Sequence, residues 1–423
     1  MTTEPKPWEL GQYPKNPYLY KYYYDIKEVV RHCTRCNSCK YIDSWELKQA
    51  RFAKVCPSAA YYRFDGYSCQ GRQDLCLAML DGRITYENSP KLLDVWYKCN
   101  TCGGCDVSCK RIRDSETLRT FLDVRSQLVE DGQLVPEHMM IIDNLRKEDN
   151  MMMGRKADRG KWAEGLNIKD LTKEKADVVF HTGCLIDYAP ELWETARTSI
   201  KLLQDAGVDV GILGKDETCC ATRQYDFGYR GESAKYAENN IEAWKNAGVK
   251  TVVTACADCY WGMKRLYPDH GSQFEVLHMV EYLDRLIKEG KIKFSKEVPL
   301  TVTYHDPCHL GRRVNEYVPG TAIMGVYDEP RDILKAIPGI ELVEMYRIKE
   351  YAWCCGSGGG VREAYPDFSA WTANERILEA KAVGAEAIVS ACPHCERNFT
   401  DAVNEMGDKM KILDIVNLVQ QAI

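Results

Sequence analysis

The feature that most constrains this chain is a set of five cysteines that occurs twice in its C-terminal two-thirds. Each set has the order C…CC…CxxC. The first set is Cys184, Cys219, Cys220, Cys256 and Cys259, and the second is Cys308, Cys354, Cys355, Cys392 and Cys395. A single CxxC pair is common, but core packing does not explain two sets in the same order. We interpret them as two metal-cluster sites that carry the catalytic cysteines.

The residues around these cysteines are duplicated as well. Residues 247–256 (AGVKTVVTAC) align without a gap with residues 383–392 (VGAEAIVSAC), at an offset of 136 positions. Two homologous half-domains are therefore expected. The second copy is longer by about eleven residues between its first cysteine and its CC pair, which predicts an insertion near residues 314–328.

Length, composition and charge describe an ordinary globular chain. It has 423 residues, 45% hydrophobic residues and a net charge of -6, which supplies no basic surface for nucleic acid. Apolar runs long enough to cross a membrane are absent from the sequence, and residues 1–8 lack the apolar core of a secretion signal. The 20 cysteines cluster as CxxC and CC, which favours metal binding in a reducing cytoplasm over a disulfide framework.

Short apolar runs separated by helical patterns predict two open α/β sheets in the C-terminal two-thirds. The predicted strands are residues 178–182, 208–213, 251–254 and 274–277, then 300–305, 341–345, 387–390 and 411–413. The predicted helices include residues 191–205, 232–246 and 280–288. Because Cys184, Cys256, Cys308 and Cys392 each follow a predicted strand, we expect them at the carboxyl ends of parallel strands, where ligands gather.

The N-terminal region contains two further cysteine motifs. Cys99, Cys102, Cys105 and Cys109 form a CxxCxxCxxxC run, and Cys33, Cys36 and Cys39 form a CxxCxxC run that is followed at a distance by Cys56-Pro57. In two-cluster ferredoxins the fourth cysteine of each run binds the other cluster. We therefore predict two cubane [4Fe-4S] clusters, one bound by Cys33, Cys36, Cys39 and Cys109, and the other by Cys99, Cys102, Cys105 and Cys56.

Two N-terminal cysteines, Cys69 and Cys76, are left without a cluster. We interpret them as buried thiols, since cysteine packs as a small hydrophobic residue, and Cys69 is the next candidate ligand if Cys56 is not one. Zinc is the alternative for the whole N-terminal set. Zinc sites, however, usually consist of two CxxC pairs and not CxxCxxC triples.

The adjacent cysteines of each CC pair favour cluster ligation over a disulfide. Neighbouring Cα atoms lie about 3.8 Å apart, below the usual range for disulfide partners. Five thiols exceed the need of one cubane, which implies bridging thiolates or an opened, noncubane cluster. The glycines after Cys355 would let backbone amides approach cluster sulfur. Nearby histidines are candidate proton donors, although a structural role for each is the alternative: His181, His305, His309 and His394.

With these motifs the chain resembles the heterodisulfide reductase D-like family, in which a two-cubane ferredoxin-like part is fused to a duplicated cysteine-rich (CCG) part. The matching residues are YHDPCHLGR at 304–312, CCGSGGGV at 354–361 and CPHC at 392–395, with HTGC at 181–184, CC at 219–220 and CADC at 256–259. The resemblance covers nearly the full length. It implies a noncubane [4Fe-4S] cluster in each repeat, with a disulfide substrate cleaved between the two. The chain departs from the family pattern at Ala221, where glycine is usual, and in the long spacing from Cys39 to Cys56.

The resemblance also implies the domain organisation. We expect an α-helical ferredoxin-like domain at residues 1–150, a linker at 151–175, a first CCG domain at 176–295 and a second at 296–423. Tyr13–Tyr24 is a candidate docking arm in an alternative view of the protein as a zinc or interaction module.

Two redox functions follow from the resemblance. In the first, the chain is the electron-transferring subunit of a cytoplasmic multisubunit complex, with a flavin-containing heterodisulfide reductase A-like partner and other redox subunits. A catalytic acyl-CoA reductase subunit is a further expected partner, as in class II benzoyl-CoA reductase complexes. In the second, the chain is itself a terminal disulfide reductase.

Overall fold

A computed structural model describes residues 26–43, 46–47, 49–110, 112–113, 115–314 and 325–423. Within these ranges a helical N-terminal region is followed by two parallel sheets, which confirms the predicted fold class. The tyrosine-rich segment Tyr13–Tyr24 and most of the predicted insertion, residues 315–324, lie outside the described residues.

The N-terminal region consists of short helices joined by turns that carry the cysteine motifs. The helices are α1 Ile26–Arg31, α2 Pro57–Tyr62, α3 Cys69–Leu80, α4 Leu92–Tyr97, α5 Gly104–Lys110, α6 Thr117–Glu130 and α7 Pro136–Glu148. Pro57 and Pro136 occupy the first turns of their helices, where proline has no backbone hydrogen bond to lose. A small hydrophobic core, which includes Trp96 and Phe121, holds α3, α4 and α6 together.

The first sheet has five parallel strands in the order β1-β3-β2-β4-β5. The strands are β1 Lys169–Asp170, β2 Val178–Phe180, β3 Val210–Ile212, β4 Thr251–Thr254 and β5 Glu275–His278. The helices of this half are α8 Cys184–Tyr188, α9 Trp193–Asp205, α10 Thr222–Phe227, α11 Arg230–Asn246, α12 Ala257–Arg265 and α13 Met279–Lys288. Strand β1 belongs to the segment 151–175 that we predicted as a linker, so part of that segment pairs with the sheet.

The second sheet has four parallel strands in the order β7-β6-β8-β9. The strands are β6 Leu300–Tyr304, β7 Ile340–Leu342, β8 Ala387–Ser390 and β9 Lys411–Asp414. The helices are α14 Asp328–Ala336, α15 Val361–Ala364, α16 Pro366–Ala382, α17 Pro393–Met406 and α18 Ile415–Ala422. Each predicted strand and helix agrees with an observed one to within three residues at either end.

The strand register reproduces the sequence repeat. In the first sheet Thr251 pairs with Glu275, and in the second Ala387 pairs with Lys411, so both partners are shifted by 136 positions. The pairing of β2 with β4 likewise recurs in that of β6 with β8. The two halves are therefore copies of one α/β unit.

The two sheets share one hydrophobic core. Buried residues of both halves belong to a single apolar cluster. The last helix, α18, packs against α9 of the first half as well as against β9 of its own half. The side-chain amide of Asn417 on α18 donates to Thr195 Oγ1 on α9 at 3.1 Å. Helix α18 thus connects the second repeat to the first.

Candidate metal centres

The strand ends hold the two five-cysteine sets. Cys184 begins α8 just after β2, and Cys256 and Cys392 are the N-caps of α12 and α17, directly after β4 and β8. Cys308 follows β6. All ten cysteines of the two sets are buried. Parallel strands thus bring each set together at one sheet edge, as expected for α/β folds.

Within each set the thiols form a continuous series of side-chain contacts. In the first set the series runs Cys184–Cys219–Cys220–Cys259–Cys256. In the second set it runs Cys308–Cys354–Cys355–Cys395–Cys392. The two series have the same order, so the sequence repeat extends to the arrangement of the sulfur atoms.

The two members of each CC pair differ in acidity in the same way. Hydrogen bonds from Cys219 and Cys259 hold the pKa of Cys220 well below its usual value. Hydrogen bonds from Cys354 and Cys395 do the same for the pKa of Cys355. The second cysteine of each pair therefore contacts both the first cysteine of the pair and the last cysteine of the CxxC motif.

The two sets meet each other and the N-terminal region. The thiol of Cys256 is hydrogen-bonded to that of Cys392, which joins the first set to the second. The thiol of Cys102 is hydrogen-bonded to Cys308 and Cys354, which joins the N-terminal motif to the second set. The second repeat therefore lies between the N-terminal cysteines and the first repeat in this series of contacts.

The cysteines of the two N-terminal motifs lie near one another. Cys109 lies close enough to both Cys105 and Cys39 for the thiols to interact electrostatically, and Cys56 interacts in the same way with Cys105 and Cys99. Cys33 interacts with Cys39. Helix α5 packs against the turn Ser38–Lys40 and so brings the two motifs together. Cys36 is exposed.

The position of Cys69 relative to the two N-terminal sets could not be predicted from spacing. Its buried thiol contacts those of both Cys39 and Cys105, and so lies between the two predicted cubane sets. Cys76, on the same helix, is also buried, and its pKa is raised by burial and by the charge of Asp123. Cys69 and Cys76 therefore differ in their tertiary contacts, which their spacing in the sequence does not reveal.

Arg159 is the cation beside the first set. Its Nη2 lies 3.8 Å from Cys184 Sγ, and the guanidinium pairs with Glu217 and Asp187, each at 3.0 Å. Burial opposes the charged form, but attraction to Cys184, Glu217 and Asp187 outweighs it and raises the pKa of Arg159. Glu217 also accepts a hydrogen bond from the Gly183 backbone N–H at 3.0 Å. The first set thus has a cation with two anionic partners.

Arg312 is the cation beside the second set, and its partners are different. Its Nη2 lies 3.1 Å from Cys308 Sγ. The remaining donors bind backbone carbonyl oxygens of Cys102 at 2.6 Å, Ala352 at 2.6 Å and Glu350 at 2.9 Å. Among the described residues, no carboxylate pairs with Arg312. Burial lowers the pKa of this arginine, yet attraction to Cys308 and Cys102 raises it above its usual value overall.

Polar side chains fill the space between the two sets. His309 Nδ1 lies 3.1 Å from Asp258 Oδ1, and Arg223 Nε donates to Asp258 Oδ2 at 2.9 Å. Burial raises the pKa of Asp258, but His309 and Arg223 outweigh it and hold the pKa well below its usual range. A cavity beside the first set is lined by Asp258, Arg223 and His394 together with all five cysteines of that set.

The four predicted histidines lie at the candidate sites. Ligand atoms of His305, Cys355 and Cys395 all lie within 4.8 Å of one another. His181 is buried, and its charged form is favoured by Glu217 and Cys220 but opposed by burial, which dominates and lowers its pKa. His309 and His394 are among the polar side chains that lie between the two sets, beside Asp258.

The donor chemistry of the sites fits iron–sulfur clusters. Soft thiolate ligands select iron–sulfur clusters, zinc or cuprous copper. A structural zinc site uses four ligands, whereas each C-terminal set gathers five thiols. Backbone N–H groups also point at the sulfurs, since the amide of Ala221 donates to Cys219 Sγ at 3.3 Å and that of Gly356 donates to Cys354 Sγ at 3.4 Å.

Known proteins share this arrangement of cysteine-rich repeats. The cysteine-rich domain family model (CCG) matches residues 178–264 and 302–400. The D-type chain of the dihydromethanophenazine:CoB–CoM heterodisulfide reductase of Methanosarcina mazei is 36% identical over 77% of this chain and 77% of its own length. That of Methanosarcina acetivorans is 32% identical over 92% of this chain and 93% of its own. This chain belongs to the heterodisulfide reductase D-like family.

As a member of this family, the chain is an iron–sulfur oxidoreductase subunit with duplicated CCG domains. A more distant relative, the EtfAB:quinone oxidoreductase of Syntrophomonas wolfei, is 28% identical over 78% of this chain and 46% of its own length. Within the described residues, none of the helices is both long enough and apolar enough to cross a membrane.

Proposed function

We propose that this protein carries electrons within a cytoplasmic multisubunit redox complex by means of four iron–sulfur clusters. Two cubane [4Fe-4S] clusters would be held by Cys33, Cys36, Cys39 and Cys109 and by Cys99, Cys102, Cys105 and Cys56. Two noncubane [4Fe-4S] clusters would be held by the five-cysteine sets of the two repeats. Bound clusters would supply one-electron redox chemistry.

The observation that carries the proposal is the unbroken series of thiol contacts. It leads from Cys102 to Cys308 and Cys354, and then through the second set to the contact between Cys392 and Cys256. A zinc or interaction module has no need for ordered thiol contacts over three parts of a chain. The series supports an order of sites in which the N-terminal cubanes come first, the second repeat next and the first repeat last.

The proposed electron transfer requires a donor and an acceptor. A flavin-containing heterodisulfide reductase A-like subunit is the proposed electron donor. The acceptor is either a catalytic acyl-CoA reductase subunit, as in class II benzoyl-CoA reductase complexes, or a disulfide bound by this chain. Anaerobic purification of the native complex, followed by mass spectrometry of all copurifying chains, distinguishes the two, and isolation of the chain alone would contradict the relay function.

Iron and acid-labile sulfide analysis tests the cluster content. Four four-iron clusters predict about 16 iron atoms per chain in anaerobically isolated protein. The Cys355→Ser variant is expected to lose iron from the second repeat alone. The matched control Cys76→Ser is expected to keep the full content, because Cys76 lies outside every predicted set. Zinc without sulfide would overturn the redox proposal.

Terminal disulfide reduction is a second candidate function. It is favoured by the contact between Cys256 and Cys392, which brings the two C-terminal sets together. In the reaction a disulfide takes up two electrons and two protons, its S–S bond breaks and two thiols form. The CoB–CoM heterodisulfide named for the Methanosarcina relatives is the first substrate to try.

A single-turnover experiment tests this second function. Protein reduced with dithionite and freed of excess reductant is mixed with the heterodisulfide, and the released thiols are counted. We expect two thiols for each pair of electrons that the protein loses. The Cys355→Ser variant should release none, whereas Cys76→Ser should match the natural protein. Unchanged release by Cys355→Ser would contradict disulfide reduction at this site.

A further inference from the structure

The N-terminus of α3 lies between the two N-terminal cysteine sets. Cys69, the first residue of this helix, is 3% exposed. Its thiol lies beside those of Cys39 and Cys105, which belong to different predicted cubane sets, and all three cysteines are part of one buried cluster. The backbone N–H of the next residue, Gln70, also donates to the sulfur of Cys39. The helix start therefore places one thiol between the two sets and directs a backbone N–H at the first of them.

Several contacts fix this helix start in place. The Ser68 side chain caps α3 by accepting from the Gly71 N–H at 3.1 Å. A Cβ on Gly71 would lie 2.0 Å from the carbonyl oxygen of Asp65, so only glycine permits the observed approach. The buried Arg72 donates to the carbonyl oxygen of Lys98 at 2.7 Å, which joins α3 to the residue just before Cys99. The position of the Cys69 thiol is thus set by surrounding structure.

We propose that Cys69 is a non-ligand thiol whose single S–H proton is shared between the ligand sulfurs of Cys39 and Cys105 in a three-centre hydrogen bond, and that it thereby raises the reduction potentials of both cubane clusters. The inference rests on the proposed function, because it requires that both cubanes are present. A hydrogen bond to a cluster sulfur stabilises the reduced form, which carries more negative charge. A thiol shared by Cys39 and Cys105 acts on both clusters at once, so both reduction potentials are raised.

Cys76 provides a matched control on the same helix. It is 0% exposed, lies in the same small core as Cys69 and is surrounded by apolar groups and Asp123 in place of other thiols. Replacement of Cys76 therefore tests loss of a buried thiol from α3 without loss of a contact to a predicted ligand.

The experiment compares Cys69→Ala and Cys76→Ala in the full-length, cluster-loaded chain. Iron content is measured first, and midpoint potentials are then obtained from redox titrations followed by electron paramagnetic resonance. We expect Cys69→Ala to keep its iron and to shift both cubane couples to more negative potentials, whereas Cys76→Ala shifts neither. Cys69→Ser, which restores a hydrogen donor, should return both potentials toward the natural values. If Cys69→Ala does not accumulate, Cys69→Val removes the donor while it fills the space.

Each other outcome overturns the proposal in a distinct way. Loss of about four iron atoms from Cys69→Ala would make Cys69 a ligand of one cubane. A shift of one couple alone would exclude a shared bridge, and unchanged potentials would make Cys69 a packing residue. Natural protein without cubane signals would instead contradict the proposed function, so the two failures are separable.

Discussion

At the scale of single residues, the two repeats differ most in their arginines. Arg159 beside Cys184 is paired with two carboxylates, whereas Arg312 beside Cys308 binds that sulfur and three carbonyl oxygens. The positive charge of Arg312 is therefore directed at the second cysteine set. It also contacts the carbonyl of Cys102, so it stands where the N-terminal motif meets the second repeat.

Loss of this charge should make the second centre harder to reduce. Charge-assisted hydrogen bonds contribute about 1.5–3 kcal/mol, so Arg312→Gln should shift the equilibrium between the oxidised and reduced centre about tenfold or more toward the oxidised form. Redox titration followed by electron paramagnetic resonance measures this shift. Arg362→Gln, which removes a partly exposed ion pair with Asp401, is the control and should change nothing. Equal potentials in both variants would contradict the assignment.

At the scale of elements, the turn after each CC pair directs a backbone amide at sulfur. Ala221 and Gly356 both have positive φ, 53° and 98°, and their N–H groups donate to Cys219 and Cys354. The departure from the family pattern at Ala221 thus preserves the turn. Gly356 has a larger positive φ than Ala221, and its neighbours leave no space for a side chain. A Cβ at this position would lie 2.5 Å from the Ser369 carbonyl oxygen.

Alanine should therefore be costly at Gly356. Gly384 is a matched control, because its φ is also positive, at 78°, and a Cβ there would meet nothing within 4 Å. Gly384→Ala is expected to cost about 1–2 kcal/mol through backbone strain, and Gly356→Ala about 1–3 kcal/mol more through overlap. Apparent melting temperatures of the two variants, measured anaerobically, compare these costs. If both variants lose the same melting temperature, the structure around Gly356 accommodates the added Cβ without further cost.

At the scale of the whole molecule, Arg125 joins all three parts of the chain. This fully buried residue of α6 donates to carbonyl oxygens of Cys99 at 2.7 Å, of Asp226 at 2.9 Å and of Gly359 at 2.9 Å. These acceptors belong to the N-terminal region, the first repeat and the second repeat. Its five N–H donors in a rigid plane suit such a junction, so one guanidinium holds the predicted cluster sites in fixed relation.

Removal of Arg125 should loosen the N-terminal region from both repeats. Arg125→Leu leaves several buried carbonyl groups unpaired, at about 1–3 kcal/mol each, and is expected to speed proteolytic release of the N-terminal region. Gln127→Leu, on the same helix with an exposed hydrogen bond to Asp131, should leave the rate unchanged. Release at the same rate in both variants would argue against Arg125 as the junction. Limited proteolysis followed by mass spectrometry gives the rates.

The sequence alone determined the local pattern of this protein. Alternating apolar runs and helical periods predicted the strands and helices, and the offset of 136 positions predicted two homologous half-domains, which the matching register of the two sheets confirms. Cysteine spacing predicted which thiols form sets, because neighbouring ligands of one site are spaced by local backbone geometry. The crossed assignment of Cys109 and Cys56 is compatible with the observed positions and stays a prediction, as does ligation by every set.

Only the tertiary structure decided which sets meet, which charges surround them and what separates Cys69 from Cys76. Arg312 reaches Cys102 across 210 positions of sequence, and Arg125 reaches Gly359 across 234. Neither spacing nor periodicity encodes such contacts, since they depend on how completed helices and sheets pack together. The grouping of the ten C-terminal cysteines into two sets thus follows from the sequence repeat, whereas the order of the sets and their electrostatic surroundings arise from packing.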